Sequence, residues 1–134
     1  MSTRLPAAER ASGARAQWQI LVVDDDIEQT CELVDLFEHA GFGVVGANSA
    51  SDAMDILRSR MLKLVLIDLK MPQIDGYRLA QAAHAIDPRV PIILMSGNWE
   101  AIDEIQKGSH SLFAVIQKPL NPEWLLETAR ALVH

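Results

Sequence analysis

Lys63-Leu64-Val65-Leu66-Ile67-Asp68 is an apolar run of four, bracketed by a lysine and an aspartate. A run this short, rich in branched residues, reads as a strand. No polar residue interrupts it, so neither face is set toward water. Strands of that kind belong to parallel sheets covered by helices on both sides. Reading outward, the pattern recurs. Gln19 to Val23 is a strand running into Asp24, Asp25 and Asp26, and Pro91 to Ser96 is another. Leu112 to Gln117 follows the same rule, and Gly43 to Ala47 is a weaker example.

Helical patterns alternate with these strands. Ile27, Cys31, Val34 and Phe37 share helical spacing over Ile27 to Ala40, and Gly41 stops that helix. Ser49, with Asp52 three positions on, resembles a capping box and opens a helix through Arg58. After a loop at Met71 to Asp75, Asp75 caps a third helix to about Ile86, where Asp87 and Pro88 close it. A less regular helix is expected from about Trp99 to Lys107. Asn121 and Pro122 form a cap and first-turn pair for a last helix ending near Val133. Five β-then-α units with right-handed crossovers predict an α/β, doubly wound, five-stranded parallel sheet with five helices.

The chain has 134 residues, with 12 Lys and Arg against 18 Asp and Glu, for a net charge of -6. That length suits one domain, burying roughly two-thirds of its unfolded surface. Cys31 is the single cysteine, which excludes an internal disulfide framework and a multi-cysteine zinc site, and fits a reducing cytoplasm. It is expected in the core. No apolar run approaches the length of a membrane span. The acidic balance argues against direct binding of nucleic acid through net charge. Residues 1–17 carry Arg4, Arg10 and Arg15 against Glu9 and show no apolar periodicity. They read as a flexible N-terminal tail, with 18–134 as the folded domain, although an Arg-rich start also resembles a transit peptide.

Open parallel sheets bind ligands beyond the carboxyl ends of their strands. Here the first strand ends in Asp24, Asp25 and Asp26, the third in Asp68, the fourth in Ser96 and Gly97, and the fifth in Lys118 and Pro119. The second strand contributes nothing of chemical interest. Clustered carboxylates repel one another unless a cation or a proton intervenes. Magnesium takes oxygen ligands and keeps waters, so one or two carboxylates and a phosphate oxygen suffice to hold it. A lysine opposite supplies a second positive charge, and the pair can steady a phosphoryl group in flight. Asp68, alone at its strand end, is the best-placed nucleophile, able to become an acyl phosphate. Asp24 and Asp25 are better cast as metal holders, Asp26 as a helix cap, and the Ser96 hydroxyl can bond a phosphoryl oxygen. His39, His84, His110 and His134 show no ligand spacing and read as surface or helix-end residues. Trp99 fits either an exposed anchor or packing into the site loop.

Four stretches, in this order and on these strand ends, closely resemble the receiver domain of response regulators. They are Leu21-Val-Val-Asp-Asp-Asp26, Leu66-Ile-Asp-Leu-Lys-Met-Pro72 with Asp75-Gly76, Leu94-Met-Ser-Gly97, and Lys118-Pro119. The resemblance implies a flavodoxin-like sheet of order 2-1-3-4-5. It implies that Asp68 accepts a phosphoryl group from a histidine kinase or a histidine phosphotransfer protein. Asp25 would bind Mg2+ directly, Asp24 mainly through water, with Asp68 and the main-chain carbonyl of Lys70 as further ligands. Ser96 and Lys118 would contact the phosphoryl group, and the Lys118-Pro119 bond would be cis. The domain would serve as a stand-alone switch read by a downstream effector protein, or as a phosphorelay intermediate. It would catalyse only its own phosphorylation and dephosphorylation.

Two features depart from the family. Val115 stands where an aromatic residue is usual, with Phe113 two positions earlier on the same strand face by parity. Gly108, Ser109, His110 and Ser111 break the pattern where a longer helix is common. Lys70 and Asn98 flank the site and are expected to tune acyl-phosphate lifetime. A haloacid dehalogenase-type phosphatase could match Asp24, Asp26, Ser96 and Lys118, but it leaves Asp68 unexplained and lacks an acidic pair after the lysine. A flavin-binding flavodoxin is poorer, because three aspartates would repel the cofactor phosphate.

Overall fold

The computed structural model describes residues 18–71, 74–98, 100, 102–103 and 113–133. In chain order the elements are β1 (Ile20–Val23), α1 (Ile27–His39), β2 (Val44–Ala47), α2 (Ala50–Ser59) and β3 (Leu64–Asp68). There follow β4 (Lys70–Met71), β5 (Ile74–Asp75), α3 (Gly76–Ile86), β6 (Ile92–Ser96), β7 (Ala114–Gln117) and α4 (Pro122–Leu132). The main sheet is parallel, in the order β2-β1-β3-β6-β7. Counting its five strands along the chain, this is the expected 2-1-3-4-5.

Side chains of the central strands alternate between two cores. Leu21, Val23, Val65, Ile67 and Leu94 face α2 and α3, packing on Ala53, Ile56, Leu79 and Ala80. Ile20, Val22, Leu64, Leu66 and Met95 face α1 and α4, packing on Leu33, Val34, Phe37 and Leu125. Both faces are dry, which is why β1, β3 and β6 read as unbroken apolar runs. Each buried Leu, Ile or Phe side chain contributes roughly 1.5–3 kcal/mol relative to exposure.

The helix starts follow their sequence signals. Asp26 caps α1 by accepting from the N–H groups of Glu28 and Gln29. Ser49 caps α2, Asp75 caps α3, and Asn121 with Pro122 opens α4. Gly41 closes α1 with a φ of 96°, a conformation glycine adopts without penalty.

Several expectations change. The expected loop after β3 includes a two-residue antiparallel ladder, Lys70 with Asp75 and Met71 with Ile74. Four helices lie among the described residues rather than five. Of the helix expected over 99–107, residues 100, 102 and 103 are helical, and its remainder lies outside the described residues. So do the 1–17 segment, Trp99, residues 108–111, and His134. The buried face of α1 is also rotated from its predicted setting. It is Thr30, Leu33, Val34 and Phe37 that are buried, whereas Ile27 is 53% exposed and Cys31 is only half-buried. Phe113 and Val115 do share a face, in the α3-side core. Phe113 packs edge-on against Tyr77 and against His84, which lies in the last turn of α3, the helix-end setting expected of it.

Candidate functional site

Parallel register brings the carboxyl ends of β1, β3, β6 and β7 to one edge. Asp68 closes β3 beside Met95 of β6, and Ser96 pairs with Gln117, one residue before Lys118. The Lys118 N–H donates to the Ser96 carbonyl at 2.8 Å, and the Lys118-Pro119 bond is cis. Asp24 continues β1, its N–H donating to the Ala47 carbonyl at 3.1 Å.

Asp24, Asp25 and Asp68 each offer a carboxylate oxygen within 4.8 Å of the others. Asp24 and Asp68 are buried and Asp25 is half-buried. The Lys118 ammonium reaches between them, 3.6 Å from Asp24 Oδ2 and 3.5 Å from Asp68 Oδ2. It donates a hydrogen bond to Gln29 Oε1 at 3.0 Å. The Ser96 hydroxyl is buried at the neighbouring strand end and accepts from the Asn98 N–H at 3.0 Å. Lys70 lies two residues beyond Asp68, on β4.

Asp24 is held from several directions. Its Oδ1 accepts from the Asp26 N–H at 3.0 Å. Its carbonyl accepts from Asn48 Nδ2 at 2.8 Å and lies 3.1 Å from the Thr30 hydroxyl. Asn48 also donates to Thr30 Oγ1 at 2.9 Å. The second strand therefore does deliver chemistry to the site edge, through Asn48 in the loop that follows it. Gln29, Thr30 and Asn48 escaped the sequence reading because polar residues in a helix turn or a loop are ordinary. Only the packing of α1 against β2 shows what they touch.

Among the described residues Asp24 Oδ2 is buried with no hydrogen-bond partner, and the Lys118 ammonium stands 3.6 Å from it. Burial pushes the Asp24 carboxyl up from 3.8 to about 6. The Asp26 N–H opposes that shift, the Asp68 charge adds to it, and the Lys118 ammonium offsets part of it. The Lys118 ammonium thus offsets only part of what burial and the Asp68 charge impose on Asp24. Three hard oxygen donors, one of them buried and unsatisfied, fit a divalent cation of the magnesium type.

Close packing keeps this edge tight. A Cβ on Gly76 would collide with the Asp68 carbonyl oxygen and stand 2.8 Å from Leu69 Cα. Glycine there lets the start of α3 approach the chain just after Asp68.

An open, doubly wound sheet with carboxylates, a hydroxyl and an ammonium at its carboxyl edge defines a flavodoxin-like α/β protein. The chain belongs to the response regulator receiver domain family, whose model matches residues 20–130. It is 31% identical over 121 residues to the transcriptional regulatory protein ZraR of Salmonella typhimurium, covering 90% of this chain and 27% of that protein. It is 27% identical over 128 residues to the sensor histidine kinase RcsC of the same species, covering 96% of this chain and 14% of that protein. The chain thus spans well under a third of either relative. A crystal structure of a CheY-like response regulator receiver domain protein from Methanospirillum hungatei superposes with a TM-score of 0.72. The two share 29% identity, with 85% of this chain and 91% of that one covered. A receiver domain is a signalling domain of two-component systems, not an enzyme of the usual kind. No helix among the described residues is long and apolar enough to cross a membrane.

Proposed function

We propose that this domain accepts a phosphoryl group on Asp68 from a phosphohistidine of a histidine kinase or histidine phosphotransfer protein. The observation that carries the reading is the position of the Lys118 ammonium, 3.5 Å from Asp68 and 3.6 Å from Asp24, beside three mutually close carboxylates. Asp68 Oδ attacks phosphorus as the phosphorus–nitrogen bond breaks, and the imidazole leaves. Lys118 meets the negative charge of the equatorial oxygens, and the Ser96 hydroxyl turns from Asn98 to a phosphoryl oxygen. Asp24, Asp25, Asp68 and the main-chain carbonyl of Lys70 would hold Mg2+, which when bound would supply charge neutralisation at the transferring group.

The acyl phosphate then biases an equilibrium between two states of the domain. Either a downstream effector protein reads the favoured state in the cytoplasm, or the group passes on to a second histidine. Val115 offers no ring to report the phosphoryl group, and Phe113 is buried between Tyr77 and His84. That arrangement favours the relay, or a switch that works without an aromatic swing.

Incubation with acetyl phosphate and magnesium should add one phosphoryl group, seen by mass spectrometry and removed by hydroxylamine. Asp68→Asn should take none. Label that persists in Asp68→Asn, or that resists hydroxylamine, would overturn the assignment.

A further inference from the structure

We infer that Gln29 is a positioning residue for phosphoryl transfer, holding the Lys118 ammonium shared between two carboxylates instead of closed on one. The inference rests on Asp68 being the phosphoacceptor. A direct ammonium–carboxylate hydrogen bond runs about 2.7–2.9 Å. Lys118 stands off both acids, at 3.5 Å from Asp68 and 3.6 Å from Asp24, although Coulomb attraction draws it to either. Its short bond goes elsewhere, to the neutral Gln29 amide oxygen at 3.0 Å.

Gln29 can hold against that attraction because it is itself anchored. It lies in the first turn of α1, where its N–H donates to Asp26 Oδ1 at 3.3 Å. The next residue, Thr30, ties the same turn to the Asp24 and Asp26 carbonyls and to Asn48. The amide oxygen therefore projects from a turn fixed at several points. An ammonium closed on Asp68 would occupy the attacking oxygen's lone pair. Held off, it is already placed for the charge that arrives with the phosphoryl group.

The test compares Gln29→Met, which keeps length and loses the acceptor, with Gln29→Glu, which keeps both. In Gln29→Met the rate constant for labelling by acetyl phosphate at saturating magnesium should fall about tenfold, the loss of one hydrogen bond to a charged group. The donor concentration giving half the maximal rate should not change, and Gln29→Glu should recover most of the loss. Proton NMR of the 15N-labelled lysine ammonium gives a readout that needs no phosphorylation. In Gln29→Met the Lys118 signal should move, as the ammonium closes on Asp68 or Asp24. An unchanged rate, an unmoved Lys118 signal in Gln29→Met, or equal slowing in both variants overturns the inference. A wild-type chain that takes no label defeats the Asp68 reading and this role with it. A labelled wild type with an unslowed Gln29→Met defeats this role alone.

Discussion

Asp24 illustrates how burial turns a carboxylate into a liability that a cation relieves. Below the ordinary carboxyl value both folded and unfolded chains hold the proton, and burying Asp24 adds no charge penalty. The folded value lies near 6 against 3.8. As pH rises through that window the unfolded chain releases its proton first, so folding stability falls and stays lower above it. In magnesium-free buffer near neutral pH, Asp24→Asn should therefore be more stable than wild type by on the order of 1–3 kcal/mol. Urea melts at several pH values should show that advantage fading as pH drops through the window. Added magnesium should stabilise the wild type and leave the variant nearly unmoved. The acids and Lys118 were legible in the sequence because charged residues at the ends of apolar runs are conspicuous. The groups that set their geometry were not, since Gln29, Thr30 and Asn48 look like any exposed helix or loop residue.

Among the elements, α1 departs most from its sequence pattern. Its spacing put Ile27 and Cys31 on the buried face, yet Thr30 and Leu33 are buried there instead. A buried threonine breaks an apolar stripe, and only its bonds to Asp24, Asp26 and Asn48 make that placement favourable. Close approach of α3 to the chain after Asp68 is equally invisible from periodicity. Gly76→Ala should force that contact apart and cost about 1–3 kcal/mol in a denaturant melt, the usual penalty for overpacking. Its labelling by acetyl phosphate should slow as well, because the shift begins at Asp68 itself. Gly41→Ala offers a contrast. Nothing stands within 4 Å of the added carbon, so only the left-handed backbone is strained, by roughly 1 kcal/mol, and labelling should not change.

For the molecule as a whole, the site draws on β1, β3, β6, β7 and α1, so whatever binds there ties both cores together. A ligand that binds only the folded chain stabilises it by about 2.7 kcal/mol at a hundredfold excess over its dissociation constant. For a domain of this size that corresponds to a rise in Tm of roughly 10 °C. Magnesium with beryllofluoride, a phosphoryl mimic, should produce such a rise in wild type. In Asp68→Asn the rise should disappear, and calorimetry reads both.

The order of apolar runs and the residues ending them were enough to determine a doubly wound parallel sheet and to put carboxylates and a lysine at one edge. Strand polarity and right-handed crossovers leave few other arrangements. What only the tertiary structure decided is the distance between those groups and the identity of the side chains holding them. Lys118 is far along the chain from Gln29, and no local pattern encodes a contact made by packing a helix turn against the end of the sheet. Nor does any pattern disclose that Asp24 Oδ2 is buried without a hydrogen-bond partner among the described residues, for that depends on every element that closes over it.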